Sequence, residues 1–413
     1  MNQLLLFALF STVIAVLFGS MQYRLYRVFL RWTANAYAEP EQESRHRQTR
    51  WIILIVNILF FAQMVVRGTS VYDQTVVQVF LIYPMGWFFA MVVLAFLLVT
   101  AFDVVRLVRW SGNRLILLIS SREIVSASPA KPVPDPGRRK FLRLGGLSAA
   151  SVIGAVPIIA STRTARDYQI NRLSLTYDNL PSGLDGFTIA QVSDIHSGIY
   201  MTEGDMREIF EIVNSLEANA ITITGDFVDS SDSQIEPLFK AVQMLKAEYG
   251  IFGCLGNHDH FATARKVSSA VEQRGIIMLN NSNARLAVNG ERISIVGIDD
   301  AGRGQANFAD WNKALDDVDP DSFKIALTHR PDEWDHTRSA GMDLTLAGHT
   351  HGGQVGFRLG PLNLNPVYLI HKYAMGLYSQ DRAHLYVNVG VGMVGVPIRM
   401  VKPEVALLTL RRS

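Results

Sequence analysis

The chain is 413 residues long, with 39 basic and 37 acidic side chains and a formal net charge of +2. Hydrophobic residues make up 49% and charged residues 18%, below the ~25% charge of an average soluble domain, which argues against a disordered chain and against a simple soluble enzyme. A single cysteine, Cys254, excludes an intramolecular disulfide and a cysteine-based zinc cluster.

The near-neutral total hides an asymmetry. Residues 1–143 carry 16 Lys/Arg against 7 Asp/Glu, a net of +9, whereas residues 144–413 carry 23 against 30, a net of −7, and nine of the ten histidines. The front contains three apolar runs, 4–20, 51–66 and 76–101, the last broken only by Pro84 and Gly86. A membrane span needs ~20 predominantly apolar residues, and buried helices of a soluble domain would be left with little polar surface to cover them. The connection 21–50 carries six arginines, 67–75 only Arg67, and 102–143 nine basic residues. By the positive-inside bias the first and third face the cytoplasm, so the N-terminus starts outside.

Ser126–Pro136, with four prolines, reads as a linker. Next come Gly137-Arg138-Arg139-Lys140-Phe141-Leu142-Arg143 and the weakly apolar stretch Leu144–Ser161. This resembles a bacterial twin-arginine export signal, placed unusually far along the chain. The alternative is an ordinary fourth membrane helix with basic inner flanks. Both send the rest of the chain to the outer side. The expected division is a helical transmembrane region over 1–125, a linker with the fourth span at 144–161 over 126–166, and a soluble domain over 167–413.

From about Asp167 the pattern alternates between strand and helix. Phe187–Val192, Ala220–Thr224, Ile251–Leu255, Arg292–Val296, Lys324–Leu327 and Leu344–Leu346 read as strands. Glu203–Leu216 and Ile235–Ala247 have helical apolar spacing, and further helical stretches fall near Ala262–Gln273 and Phe308–Leu315. The last fifty residues look β-rich. Five short motifs follow the strands directly: Asp194-Ile195-His196, Gly225-Asp226-Phe227-Val228-Asp229, Gly256-Asn257-His258-Asp259, Thr328-His329 and Gly348-His349-Thr350-His351. Asp offers a hard oxygen, His a borderline nitrogen and Asn a neutral carbonyl oxygen. Such a mixed set suits Mn, Fe, Co, Zn or Ni better than Ca or Mg, and it is large enough for two ions. Loops at the carboxyl ends of strands are where α/β folds place ligand sites.

The five motifs, in this order, resemble the calcineurin-like metallophosphoesterase superfamily, over roughly residues 185–410. The extension His351-Gly352-Gly353-Gln354 and the ending Pro397–Leu410 are similar to its bacterial membrane-associated or exported branch. The resemblance implies a four-layer α-β-β-α sandwich. It implies one divalent metal held by Asp194, His196, Asp226 and His351, and a second held by Asp226, Asn257, His329 and His349, with Asp226 bridging. His258 would face the substrate, and Asp229 would orient it. The reaction implied is attack on phosphorus by a metal-bridged hydroxide, with His258 protonating the leaving oxygen.

The leading expectation is therefore a membrane-anchored dimetal hydrolase of phosphomonoesters or phosphodiesters, in a bacterial inner membrane with its catalytic domain on the periplasmic side. Its partners would be the phosphoester, which can be lipid-linked, the bilayer and the twin-arginine export machinery. One alternative is a pyrophosphatase of a lipid such as UDP-2,3-diacylglucosamine. Another, of a different class, is a non-catalytic metal-binding membrane sensor. A −7 region without a basic stripe makes nucleic acid an unexpected partner. Outside the motifs, Cys254 reads as a buried core thiol and His260 and Asp299-Asp300 as loop residues. Arg330 reads equally as a phosphate contact or a solvated side chain. The aromatic-rich stretch from Tyr368 to Tyr378 reads as a packed β-hairpin, the alternative being a face towards lipid or an acyl substrate. The Val389–Val396 loop carries glycines where relatives often carry a basic residue.

Overall fold

The computed structural model describes residues 3–66, 77–120, scattered positions between 137 and 155, 164–302, 307–354, 356–359, 362–395 and 399–413. The chain divides into two compact units, Met1–Ile158 and Ile159–Ser413.

The first unit contains three long helices, α1 (Gln3–Ala36), α2 (Glu39–Val66) and α3 (Tyr83–Ser120). They pack through a small core of Phe18, Phe60, Met85 and Val92. The Phe18 ring stacks 4.8 Å from Phe60 and 5.1 Å from Phe89. Polar groups meet between the helices: Gln22 and Asn57 exchange hydrogen bonds of 3.2 and 2.7 Å, and Arg24 pairs with Asp103. Large apolar side chains such as Trp51, Ile55, Ile58 and Leu107 are exposed instead. One helical stretch among the described residues, Phe80–Arg114, is long and apolar enough to cross a membrane, where four spans were expected. The run 51–66 is helical, but it is short of ~20 residues and continues a polar segment starting at Glu39. The linker 126–136, Arg138, Arg139 and Arg143 lie outside the described residues, as does most of 144–161.

Among its described residues the second unit holds two six-stranded sheets and a two-stranded ribbon of β10 (Phe357–Leu359) and β11 (Leu362–Leu364). The strands of the first are β1 (Gln169–Tyr177), β2 (Thr188–Val192), β3 (Ala220–Thr224), β4 (Ile251–Cys254), β5 (Ile276–Met278) and β14 (Glu404–Arg412), in the order β1-β14-β2-β3-β4-β5. Those of the second are β6 (Ser282–Val288), β7 (Glu291–Gly297), β8 (Phe323–Leu327), β9 (Leu344–Ala347), β12 (Gly376–Gln380) and β13 (Ala383–Val387), in the order β12-β13-β9-β8-β7-β6. Strands β2 to β5 run parallel, as do β7, β8, β9 and β13. Every residue of Ala220-Ile221-Thr222-Ile223-Thr224 is buried, the expected state of a parallel strand covered on both faces.

Ile189, Phe252, Ile293, Ile325 and Leu346 interdigitate between the sheets. The outer face of the first sheet packs on α4 (Glu203–Ser215), α5 (Ile235–Val242) and α6 (Ala264–Glu272). The outer face of the second is covered by α7 (Trp311–Ala314) and α8 (Trp334–Ser339). The layering is therefore α-β-β-α. Helix α4 starts at a capping box in which Thr202 and Asp205 bond each other's backbone N–H, and it buries Met206, Ile209, Phe210 and Val213 at helical spacing. The expected helix over Ile235–Ala247 stops at Val242, and that near Phe308–Leu315 is one turn.

Candidate metal centre

The five motifs leave β2, β3, β4, β8 and β9 at their carboxyl ends and meet. Backbone bonds join them: Asp194 N–H donates to Gly225 O at 3.1 Å, His196 N–H to Asp226 O at 2.9 Å, and Gly348 N–H to His329 O at 3.0 Å. Asp194, His196, Asp226, His349 and His351 all have φ between 49° and 73°. Five non-glycine residues in the left-handed region within one cluster is costly backbone, of the kind found where a site over-determines it. The turns also need close backbone approach. A Cβ on Gly256 would run into Asp226, and one on Gly348 into Ser193 and Asp194.

Two groups of donor atoms result. In the first, His351 Nε2 lies 3.1 Å from His196 Nε2 and 3.4 Å from Asp194 Oδ1, and His196 Nε2 is 3.5 Å from Asp226 Oδ2. In the second, His329 Nε2 lies 3.1 Å from Asp226 Oδ2, 3.2 Å from Asn257 Oδ1 and 3.1 Å from His349 Nδ1. His329 Nδ1 donates to Thr224 O at 2.8 Å, which turns Nε2 inward. Lone pairs facing each other at such distances repel unless a cation lies between them, so the donor set fits two divalent ions. His258 N–H donates to Asp226 Oδ1 at 2.8 Å. Its Nδ1 contacts the main-chain oxygen of Asp229, while the Asp229 carboxylate is 3.8 Å away.

The protein's own charges point the same way. Asp194 is pushed up to about 6, first by burial and then by Asp226. Asp226 is held well below the carboxylate range: burial opposes its charge, but His329 and His258 outweigh it. Burial lowers His329, yet Asp226 and Asp194 push it up to about 10. Burial holds His196 and His349 well below the usual histidine range, and burial with Arg399 takes His351 down to about 3. One face of the cluster thus draws positive charge, and the rest offers neutral imidazole, the ligating form.

A family model described as calcineurin-like phosphoesterase matches residues 187–353. An uncharacterised metallophosphoesterase of Bacillus subtilis is 31% identical over 287 residues, 67% of this chain and 98% of its own length. The chain belongs to the calcineurin-like phosphoesterase family. It is a metal-dependent phosphoester hydrolase with a centre for two divalent cations. Another uncharacterised Bacillus subtilis metallophosphoesterase is 26% identical over 63% of this chain and 96% of itself. A Bos taurus transmembrane protein with a metallophosphoesterase domain is 25% identical over 70% of this chain and 68% of itself. Among solved structures, a dimetal phosphatase from Danio rerio aligns over 50% of this chain and 88% of its own, at 12% identity and a TM-score of 0.34.

Further buried side chains surround the two donor groups. Asp259, buried, accepts from Gly256 N–H at 2.9 Å and Val228 N–H at 3.1 Å, tying two motif loops together. Burial and the neighbouring Asp226 push it up to about 7. Arg399, fully buried, donates to the carbonyls of Val389 and Gly390 at 2.8 and 2.7 Å and to that of Gly392. The glycine loop is thus tied down through its own carbonyls by an arginine just beyond it. Asp300 is buried and grips Arg330 with both oxygens, at 2.6 and 3.2 Å. His260 pairs with Asp299 at 2.7 Å, and Cys254 is a buried core thiol. Within the aromatic stretch Tyr373 is buried against Trp334, and β12 pairs with β13, but Leu369 and Ile370 stand exposed.

Proposed function

We propose that the chain is a membrane-anchored dimetal phosphoester hydrolase whose ions are held by Asp194, His196, Asp226 and His351 on one side and by Asp226, Asn257, His329 and His349 on the other. The observation that carries this is the convergence of two buried, mixed oxygen–nitrogen donor groups on one carboxylate, Asp226. Two divalent cations there supply Lewis acidity at phosphoryl oxygens and lower the pKa of coordinated water. The protein's own part is to aim and to move protons. The Asp229 carbonyl fixes His258 by its Nδ1–H, leaving Nε2 to hold a proton for the leaving oxygen. His258 is partly exposed, so substrate can reach it.

Membrane anchoring draws on the apolar helix at Phe80–Arg114 and on the exposed apolar surface of its unit. The charge pattern supports a multi-pass arrangement in a bacterial inner membrane, with the hydrolase outside and the twin-arginine-like segment as an uncleaved anchor. A lipid-linked phosphoester is a second reading. Phe261 stands exposed beside His258, with ring centroids 4.9 Å apart, and the exposed Leu369 and Ile370 end a turn packed on the His351–Gly353 segment.

The decisive experiment is a panel of phosphomonoesters, phosphodiesters and lipid diphosphates with the full-length protein and Mn, alongside elemental analysis. Hydrolysis with about two ions per chain is the expected result. Two bound ions without turnover of any substrate would favour the sensor reading. A reporter fused after Arg163 tests orientation, with activity expected outside the membrane only.

A further inference from the structure

We propose that Arg330 binds a nonbridging oxygen of the substrate's phosphoryl group and that Asp300 positions it; this rests on the hydrolase reading of the site. Arg330 follows a candidate ligand, His329, yet its side chain is turned in from solvent and only 13% exposed. Its Nε and Nη2 are spent on the two oxygens of Asp300, which fixes the guanidinium plane. Asp300 is itself anchored, its N–H donating to Asp299 Oδ1 at 2.7 Å and its carbonyl accepting from Phe308 N–H at 2.9 Å. The third nitrogen, Nη1, lies 3.0 Å from His349 Nε2.

That last contact carries the inference. His349 turns Nδ1 towards His329 Nε2, at 3.1 Å, on the inner side of the cluster. Arg330 can only donate, so as it stands the contact is a hydrogen bond that Nε2 accepts; a neutral His349 that gives its Nδ1 lone pair to an ion carries its proton on Nε2 instead. Arg330 Nη1 and His349 Nε2 are then two N–H donors 3.0 Å apart, each needing an acceptor. An oxyanion lying against both satisfies them together, and a phosphoryl oxygen at the centre's edge is such a group. Lysine could not reproduce the arrangement, because it cannot engage Asp300 in a fork and still present a fixed donor to the cleft.

The test uses the full-length protein in detergent, loaded with Mn and freed of excess, with orthophosphate as the probe. Binding is measured by calorimetry and metal by elemental analysis for wild type, Arg330→Met and Arg330→Lys. The expected result is orthophosphate bound at least tenfold more weakly by Arg330→Met and severalfold more weakly by Arg330→Lys, with metal content unchanged. Asp300→Asn is expected to raise KM for a phosphoester severalfold more than it lowers kcat. Orthophosphate affinity within twofold of wild type in Arg330→Met, or in Arg330→Lys should the first variant not fold, overturns the proposal. So does loss of metal in both, since Arg330 would then be supporting the centre and not the anion. The two readings separate: a wild type that hydrolyses nothing yet loses orthophosphate with Arg330 keeps this site and discards the hydrolase. A wild type that hydrolyses and variants that bind orthophosphate normally do the reverse.

Discussion

In the helical unit Trp51, Ile55 and Ile58 lie on the outside, while Gln22 and Asn57 bond each other between helices. In the α/β unit Ile189, Phe252 and Ile325 are sealed between sheets. Asp194, His196, Asp226 and His329 are also buried, gathered at the strand ends. On the membrane-anchored reading proposed above, each arrangement suits its own solvent. Lipid is as apolar as leucine, so burying apolar groups gains little there and polar contacts become the specific ones. In water the apolar core drives folding, and a buried cluster of carboxylates and imidazoles is tolerable only if it is paired or ligates ions. Inside the helical unit polar side chains therefore read as packing, and inside the α/β unit as function.

The sharpest way to break that comparison is at Asp226. Asp226→Asn keeps volume but removes the charge shared by both donor groups. Turnover should fall beyond the ~10³-fold that loss of one oxyanion donor costs, with metal content reduced and the fold retained by circular dichroism. Near-wild-type turnover with metal present would end the assignment. His258→Ala should lower kcat by about 10²–10⁴-fold while both ions stay bound, the size expected for one acid–base group. Loss of metal there would make His258 structural and not a proton donor.

The motif residues were legible because each lies within a few residues of the end of a short, mostly apolar strand, and both signals are local. The residues that organise them were not. Arg399 reaches carbonyls seven to ten positions away across a loop, and Asp300 grips a side chain thirty positions on. Neither contact leaves a period in the sequence. Strand β1 escaped for a related reason: Gln169–Leu173 alternates half-buried and exposed residues at a sheet edge, and its partner is β14, with Gln169 opposite Glu404. In the helical unit the apolar runs were visible but their limits were not. The helices run on past them, because a backbone helix does not stop where its side chains turn polar.

Smaller effects sharpen the contrast. Gly348→Ala places a methyl against Ser193 and Asp194, and overpacking of this kind costs about 1–3 kcal/mol. A lower Tm of the α/β unit with weakened metal binding is expected. Glu404 tests the buried polar interior away from the motifs. It accepts from Tyr386 Oη and from Val389 N–H, both at 3.1 Å, and burial raises it above the usual glutamate range. Its folded pKa exceeds its unfolded one. Its contribution to stability is therefore full below the unfolded pKa of ~4.3 and is lost as pH rises through the folded value. Tm measured against pH should fall over that window in wild type and be flatter in Glu404→Gln.

The smallest expected effect falls in the helical unit. A double-mutant cycle on Gln22→Leu and Asn57→Leu isolates their reciprocal pair. Between helices in lipid such a pair is worth only about 0.6 kcal/mol, because the separated helices find other polar partners. Coupling near that value, measured by unfolding in mixed micelles, fits a unit packed in a bilayer. If the unit lies in water, its stability comes instead from its small aromatic core. Phe18→Ala would then cost the ~3–5 kcal/mol of a buried aromatic in a soluble protein, and Ile55→Gln on its exposed face would be neutral. In lipid the order reverses at the surface: Ile55→Gln should weaken membrane retention, as judged by carbonate extraction, while the pair inside changes little.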